Sequence, residues 1–252
     1  MLVDTHCHIH EPSYSLGGDE VLQRAKAAGV EKVICVGTNE VSSRQAVEFA
    51  SSREGVFASI GVHPHDTKEG WSEIAVLLSS LPSTPSLVAI GEIGLDYFYT
   101  HSPRDVQIRA LEEQLDLAIK HNLPVILHVR EAFDDFWPVF DNFHGLRGVL
   151  HSFTDTAVTM EQALKRELYI GVNGISTFTK DSSQQAMFRQ IPLEKMLLET
   201  DAPFLTPTPL RGTINEPAYI RHIMKYHAEV RGLPPEEIAA VTTANASAVF
   251  AI

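Results

Sequence analysis

The chain has 252 residues, a formal net charge of −12, 44% hydrophobic residues and 21% charged ones. That is the composition of a globular protein long enough for a single barrel or two small domains. It excludes a protein that grips nucleic acid through a broad basic surface, which would carry the opposite sign. No run approaches 18 apolar residues, and no cationic segment leads into an apolar one at the start, so neither membrane insertion nor secretion is expected. Cys7 and Cys35 fall in expected core strands, as reduced buried thiols rather than a disulfide framework, and the expected compartment is the cytoplasm.

Short apolar, β-rich runs alternate with amphipathic segments throughout. Strands are predicted at 2–9, 31–37, 56–63, 87–93, 124–130, 148–153, 168–173 and 195–201. The clearest helix is 103–122, with Pro103 at its first position and apolar residues at Val106, Ile108, Leu111, Leu115, Leu117 and Ile119. A second opens at Pro217 and stops at the Arg231-Gly232 pair, and a closing helix starts near Leu233 and runs towards Phe250. Eight strands alternating with helices imply parallel pairing through crossovers. In about 250 residues this is the size of a single (β/α)8 TIM barrel spanning 1–252. A doubly wound sheet would place a glycine-rich phosphate loop after the first strand, where "THCHIHEPSY" stands instead.

The strand ends carry the chemistry. "LVDTHCH", "LVAIGE", "VILH", "VLH" and "MLLETD" each end an apolar run in a metal-competent side chain: His6 and His8, Glu92, His128, His151 and Asp201. Strand side chains alternate with period two, so His6 and His8 share a face, while His10 lies beyond the strand in a loop. A barrel gathers its active site at the carboxyl ends of its strands. Four imidazoles and two carboxylates exceed what one open tetrahedral ion takes, and they suit two divalent ions. One division gives the first ion His6, His8 and Asp201 and the second His128 and His151, with Glu92 shared between ions about 3.5–4 Å apart. Two dications, two carboxylates and a hydroxide leave a net positive charge of about one, so an acidic chain still attracts an anionic group.

"DTHCHIH", "GEIGLDYFY", "VILHVREA", "HSFT" and "LLETDAPFLTP", with "GVHPHD", "RGTINEPAYI" and "TTANASAVF", closely resemble the TatD family of metal-dependent deoxyribonucleases. The resemblance runs from about Val3 to Phe250. It implies a two-metal phosphodiesterase that shortens DNA from a strand end as a 3′-to-5′ exonuclease, without an obligate protein partner. It also implies that the six strand-end residues are the metal set. Glu92 stands where a neighbouring branch of hydrolase barrels places a carboxylated lysine. Asp201 is the candidate general base and Glu92 the candidate bridging carboxylate. His63 and His65 flank Pro64 at a strand end and are candidates for contact with the scissile phosphate. Asp96 is positioned to orient a histidine ligand, Arg130 to pair with phosphate, and Arg211 and Asn215 to bind substrate from the loop after the last strand. Tyr97, Phe98 and Tyr99 are candidates for stacking on an unpaired base.

Histidine-rich coordination favours Zn, Mn, Co or Ni over Mg, although the family is associated with Mg-supported activity. The loop departs from the family pattern, since Thr213 and Ile214 stand where two cations are usual. A weaker hold on polymeric DNA follows. The alternative activity on the same scaffold is hydrolysis of a carboxylic ester, lactone, amide or aminoacyl ester. A non-catalytic scaffold would have lost a ligand, and all six positions are intact.

Overall fold

Apolar runs bury most of each strand on both faces, and the alternation with helices leaves parallel pairing as the way to satisfy the backbone. The structure, a computed structural model, describes residues 1–80 and 86–252. The order is β1 (Leu2–Cys7), α1 (Gly18–Ala27), β2 (Val30–Val36), α2 (Glu40–Ser51), β3 (Val56–Ile60), α3 (Ser72–Ser80), β4 (Leu87–Asp96), α4 (Arg104–His121), β5 (Val125–Arg130) and α5 (Phe133–Phe140). There follow β6 (Gly148–Leu150), α6 (Ala157–Lys165), β7 (Tyr169–Val172), α7 (Ile175–Phe178), α8 (Ser182–Gln190), β8 (Met196–Leu198), α9 (Ile220–Arg231) and α10 (Pro235–Phe250). The strands form one eight-stranded sheet in chain order, β1 to β8. Cys7 bridges to Ala202 in parallel, which sets the exit of β8 beside β1. This is the (β/α)8 topology the alternating pattern predicts.

Several strands stop earlier than their apolar runs suggest. β1 ends at Cys7, β6 at Leu150 and β8 at Leu198. The reason is local, because Ser152 (φ 50°) and Asp201 (φ 59°) turn into the left-handed region and leave the extended path. The helix expected from Pro217 begins as a 3-10 turn, Pro217–Tyr219, that runs on into α9.

The chain divides into two compact units, Met1–Ile34 with Ser152–Ile252, and Cys35–His151. In the first, α10 packs against β1 and β8. His227 of α9 is fully buried there, with Nε2 3.1 Å from the Ser176 hydroxyl. Burial pushes its pKa down to about 3, and the Arg231 charge adds to the effect. The unfolded chain takes up that proton near 6.5 and the folded one does not, so stability is complete above about pH 6.5 and falls as the pH drops towards 3. The slope from this group is about 1.4 kcal/mol per pH unit. Paired urea titrations of the wild type and His227→Gln between pH 4 and 6.5 are expected to differ by that slope.

In the second unit the order is β3-β4-β5-β6, with Ile90, Ile93, Leu95, Ile126 and Leu127 fully buried. Each such side chain contributes about 1.5–3 kcal/mol relative to exposure. Gly94 of β4 lies opposite His128 of β5, at φ 150°, and a Cβ there would sit 1.8 Å from the His128 carbonyl oxygen. Only glycine lets the two strands approach so closely.

Two glutamines of α4 then fix the strand exits. Gln114 accepts from the Val62 amide (2.7 Å) and donates to the Val62 carbonyl (3.3 Å) just past β3. Gln107, two turns earlier on the same face, accepts from the Asp96 amide (2.9 Å) and donates to the Asp96 carbonyl (3.1 Å) at the end of β4. Both side chains are buried and satisfied. No helix among the described residues is long and apolar enough to cross a membrane.

Candidate metal centre

Each unit assembles its own donor cluster at the carboxyl ends of its strands. In the first, His6 within β1 and His8 one residue past it bring their Nε2 atoms to 3.2 Å. Asp201, three residues beyond β8, places Oδ1 3.4 Å from His8 Nε2 and 3.8 Å from His6 Nε2. The backbone zips these segments together, since Asp201 N donates to His6 O (2.9 Å) and His8 N to Ala202 O (2.7 Å). His6 and His8 are buried, whereas the Asp201 side chain keeps 14% exposure, enough to meet a substrate or a water. His10 sits in the following turn and is buried, its ring 6.4 Å from that of His8.

Asp4 and Asn215 hold this cluster from behind. Asp4 is fully buried and accepts from the amides of His6 (3.3 Å) and Thr200 (2.9 Å) and from the Thr200 hydroxyl (2.5 Å). Burial pushes its pKa up to about 7, against the pull of those hydrogen bonds. Asn215 lies inside the fold, behind the cluster. It is fully buried, donates its amide to Thr200 O (2.8 Å) and Phe204 O (2.6 Å), and accepts from Glu216 N (3.0 Å). Its polar capacity is committed to the turn that carries Asp201. Arg211 is exposed and tied to its own loop, donating to Thr206 O (2.7 Å) with its guanidinium 3.8 Å above the Phe178 ring.

The second cluster centres on Glu92. Its Oε1 lies 2.9 Å from His128 Nδ1, 3.5 Å from His63 Nε2 and 4.0 Å from His151 Nε2. His63, Glu92 and His128 offer donor atoms all within 4.8 Å of one another. His63 therefore stands within the same group of donor atoms. Asp96 bridges two imidazoles through Oδ2, at 2.9 Å from His128 Nε2 and 3.0 Å from His65 Nε2. Its Oδ1 accepts from the Phe98 and Tyr99 amides, each at 3.0 Å. His65 is thus anchored by Asp96, and the Arg130 guanidinium lies 3.9 Å over the Phe98 ring.

The electrostatics suit cation binding. Burial, reinforced by the nearby His128, holds His63 well below its usual pKa, and burial also lowers His65. Both are neutral imidazoles, the form that ligates metal. Burial opposes charging of His128, but hydrogen bonds to Asp96 and Glu92 outweigh it and raise its pKa. Burial likewise works against ionising Asp96, and the hydrogen bonds it accepts from His128 and from the Tyr99 amide overcome it and keep the carboxylate charged. Imidazole nitrogens grouped with carboxylate oxygens form a donor set fitted to divalent first-row ions. The positions of His6, His8 and Asp201 and of His63, Glu92 and His128 both pass that test.

Asp96 orients His128 from outside the donor set, and such partners commonly account for 10–100-fold in metal affinity. Asp96→Asn keeps an oxygen for the Phe98 and Tyr99 amides and removes the charge. It is expected to weaken metal binding about 10–100-fold, as read by chelator competition.

Sequence reasoning missed Glu199, which is buried and accepts from the Ser152 amide at 2.6 Å. Period-two counting back from Asp201 finds it, as counting back from His6 finds Asp4.

Comparison with known proteins gives the family and the fold. The model of the TatD related DNase family matches residues 3–251. The uncharacterized metal-dependent hydrolase YabD of Bacillus subtilis is 36% identical over 254 residues, all of both chains. The 3′-5′ ssDNA/RNA exonuclease TatD of Citrobacter rodentium is 39% identical, over 93% of this chain and 92% of the relative. The crystal structure of YJJV, a TatD homologue from Escherichia coli, superposes with a TM-score of 0.92 at 31% identity, covering 100% of this chain and 98% of that one. A match over essentially the full length, with the donor clusters at the strand ends, places the chain in the TatD related DNase family.

Proposed function

We propose that this metal-dependent hydrolase cleaves phosphodiester bonds of single-stranded DNA, removing nucleotides from the 3′ end. The observation that carries the reading is the pair of imidazole–carboxylate clusters, each fitted to a divalent ion. His6, His8 and Asp201 would hold one ion, and Glu92 and His128 the other, with His63 within reach of that donor set and His151 at its margin. When bound, the ions supply charge stabilisation for the phosphoryl oxygens and lower the pKa of water. Mg, Mn and Zn are the ions to test.

Asp201 carries the proton chemistry, for it is the partly exposed carboxylate of its cluster. Its Oδ1 accepts the proton of the attacking water and passes it to solvent or to the leaving oxygen. His6 and His8 stay buried and fixed, their backbones tied to the Asp201 turn. Asp96 keeps His128 in one orientation, and Gln107 and Gln114 hold the strands that present Glu92 and His63. Arg211 is the candidate cation for the incoming phosphate. The relative from Citrobacter rodentium, named for ssDNA and RNA, supports the substrate class. The buried thiols of Cys7 and Cys35 support a reducing compartment, the cytoplasm.

The test uses 3′-labelled and 5′-labelled oligonucleotides with protein stripped of metal and refilled with Mg, Mn or Zn. Immediate release of a 3′ label, with a ladder of shortening 5′-labelled products, is expected only in refilled samples. The exposed, uncharged Thr213 and Ile214 give the second reading its footing. Intact DNA under every metal, with turnover of a carboxylic ester or lactone, would move the reaction to a carbonyl carbon.

A further inference from the structure

We propose that Phe98 and Arg130 form a stacking platform for an unpaired nucleobase flanking the scissile phosphate, an inference that rests on the nuclease reading above. Phe98 and Tyr99 lie two and three residues beyond the end of β4, and they are 47% and 42% exposed. Scattered single apolar residues at a surface need no explanation, but two adjacent aromatics under a cation are a patch. The Arg130 guanidinium lies 3.9 Å from the Phe98 ring centre and 5.2 Å from that of Tyr99. Register explains the placement, because Asp96 and Arg130 are cross-strand partners on β4 and β5. The Arg130 side chain therefore reaches over the residues that follow Asp96.

The platform is rigid although exposed. Phe98 N and Tyr99 N both donate to Asp96 Oδ1, and Tyr97 N donates to Arg130 O at 2.9 Å. Tyr99 is further held between imidazoles, with the His65 ring 5.3 Å away edge-on and the His101 ring 5.5 Å away, stacked at 18°. Rings held in place before a ligand arrives lose little entropy on binding, which is the condition for strong stacking. Aromatic rings and guanidinium planes are the surfaces on which unpaired bases stack, with little regard to sequence.

The same carboxylate ties this layer to the metal cluster. Asp96 Oδ1 holds the Phe98 and Tyr99 turn while Oδ2 holds His128 and His65. Ring contacts continue inward, from Tyr99 to His65 (5.3 Å), His65 to His63 (4.4 Å) and His63 to His128 (4.3 Å). A nucleotide whose phosphate meets Glu92 and His128 thus finds a π-surface within the same small assembly. A chain of net charge −12 gains little from a basic field, so stacking supplies hold that phosphate contacts do not.

The experiment uses full-length protein in the Asp201→Asn background, which leaves the oligonucleotide intact. The probe is a single strand carrying 2-aminopurine or an abasic site at each of the three 3′-terminal positions in turn. Quenching at one position is expected, with Kd for that base-bearing strand about tenfold tighter than for the abasic one. Phe98→Ala and Phe98→Leu are expected to abolish the quenching and reduce the preference to about twofold, while Phe98→Trp retains both. Arg130→Met is expected to weaken both in part. Equal binding of base-bearing and abasic strands by the Asp201→Asn protein overturns the platform, as does Phe98→Leu behaving like Phe98→Trp. Wild-type cleavage is scored in parallel. Quenching without cleavage under any metal removes the nuclease reading and leaves the platform. Cleavage indifferent to the flanking base removes the platform alone, and absence of both binding and cleavage removes the two together.

Discussion

Asp201→Asn is expected to lower kcat about 10²–10⁴-fold, the range that a positioned acid–base group supplies. Asparagine has nearly the same shape and is among the residues that tolerate the left-handed φ of 59° found there, so the turn survives. The backbone bond from residue 201 to His6 O does not depend on the side chain. The substitution removes the negative charge 3.4 Å from His8 Nε2 and the ability to take up a proton. Two consequences are separable by experiment. If Asp201 acted only as a ligand, raising the metal concentration would restore full turnover. If it is also the base, activity stays low at saturating metal while calorimetry shows the sites filled.

Gly94→Ala is expected to destabilise the protein by about 3 kcal/mol, at the upper end of what overpacking costs. The added Cβ meets the His128 carbonyl carbon at 2.8 Å and its oxygen at 1.8 Å, and neither is the end of a flexible side chain. β4 and β5 must part, and they carry Glu92, Asp96 and His128 between them. Metal affinity is therefore expected to fall with stability, although residue 94 touches no ion. Gly145→Ala is the control. Its φ is 82°, yet nothing lies within 4 Å of the added carbon, so only the backbone term of about 1–2 kcal/mol applies. Urea unfolding of the two variants checks the difference, and chelator competition checks the loss of metal.

Much of this was legible in the sequence. Apolar runs ending in His, Glu or Asp marked the strand exits, and alternation with helices set the topology. Period two put His6 and His8 on one face, and their Nε2 atoms stand 3.2 Å apart. The rest depended on partners distant in sequence. Nothing in "GVHPHD" shows that His63 meets Glu92, because 28 intervening residues and a strand register decide it. Asn215 read as a ligand-binding loop residue because polar loop residues usually face solvent. Its burial follows from the turn at Thr200–Phe204 folding over it, a tertiary fact. Asp96 was recognisable as a histidine partner, but its hold on the turn at Phe98 and Tyr99 was not.

The two glutamines on α4 bear on how freely this protein can be redesigned. Seven residues of helix separate Gln107 from Gln114, about 10.5 Å along one face, and each grips a strand exit by both backbone polar groups. The helix thereby works as a gauge, and the segment joining the two exits does not have to. An insert beside the exposed Lys68 and Glu69, between β3 and α3, leaves the gauge untouched and is expected to be tolerated. One residue inserted between 107 and 114 turns one glutamine by about 100° relative to the other, releases an exit and spoils the cluster. Grafting new recognition loops onto this scaffold should therefore hold the interval on α4 constant and vary everything that merely connects to it.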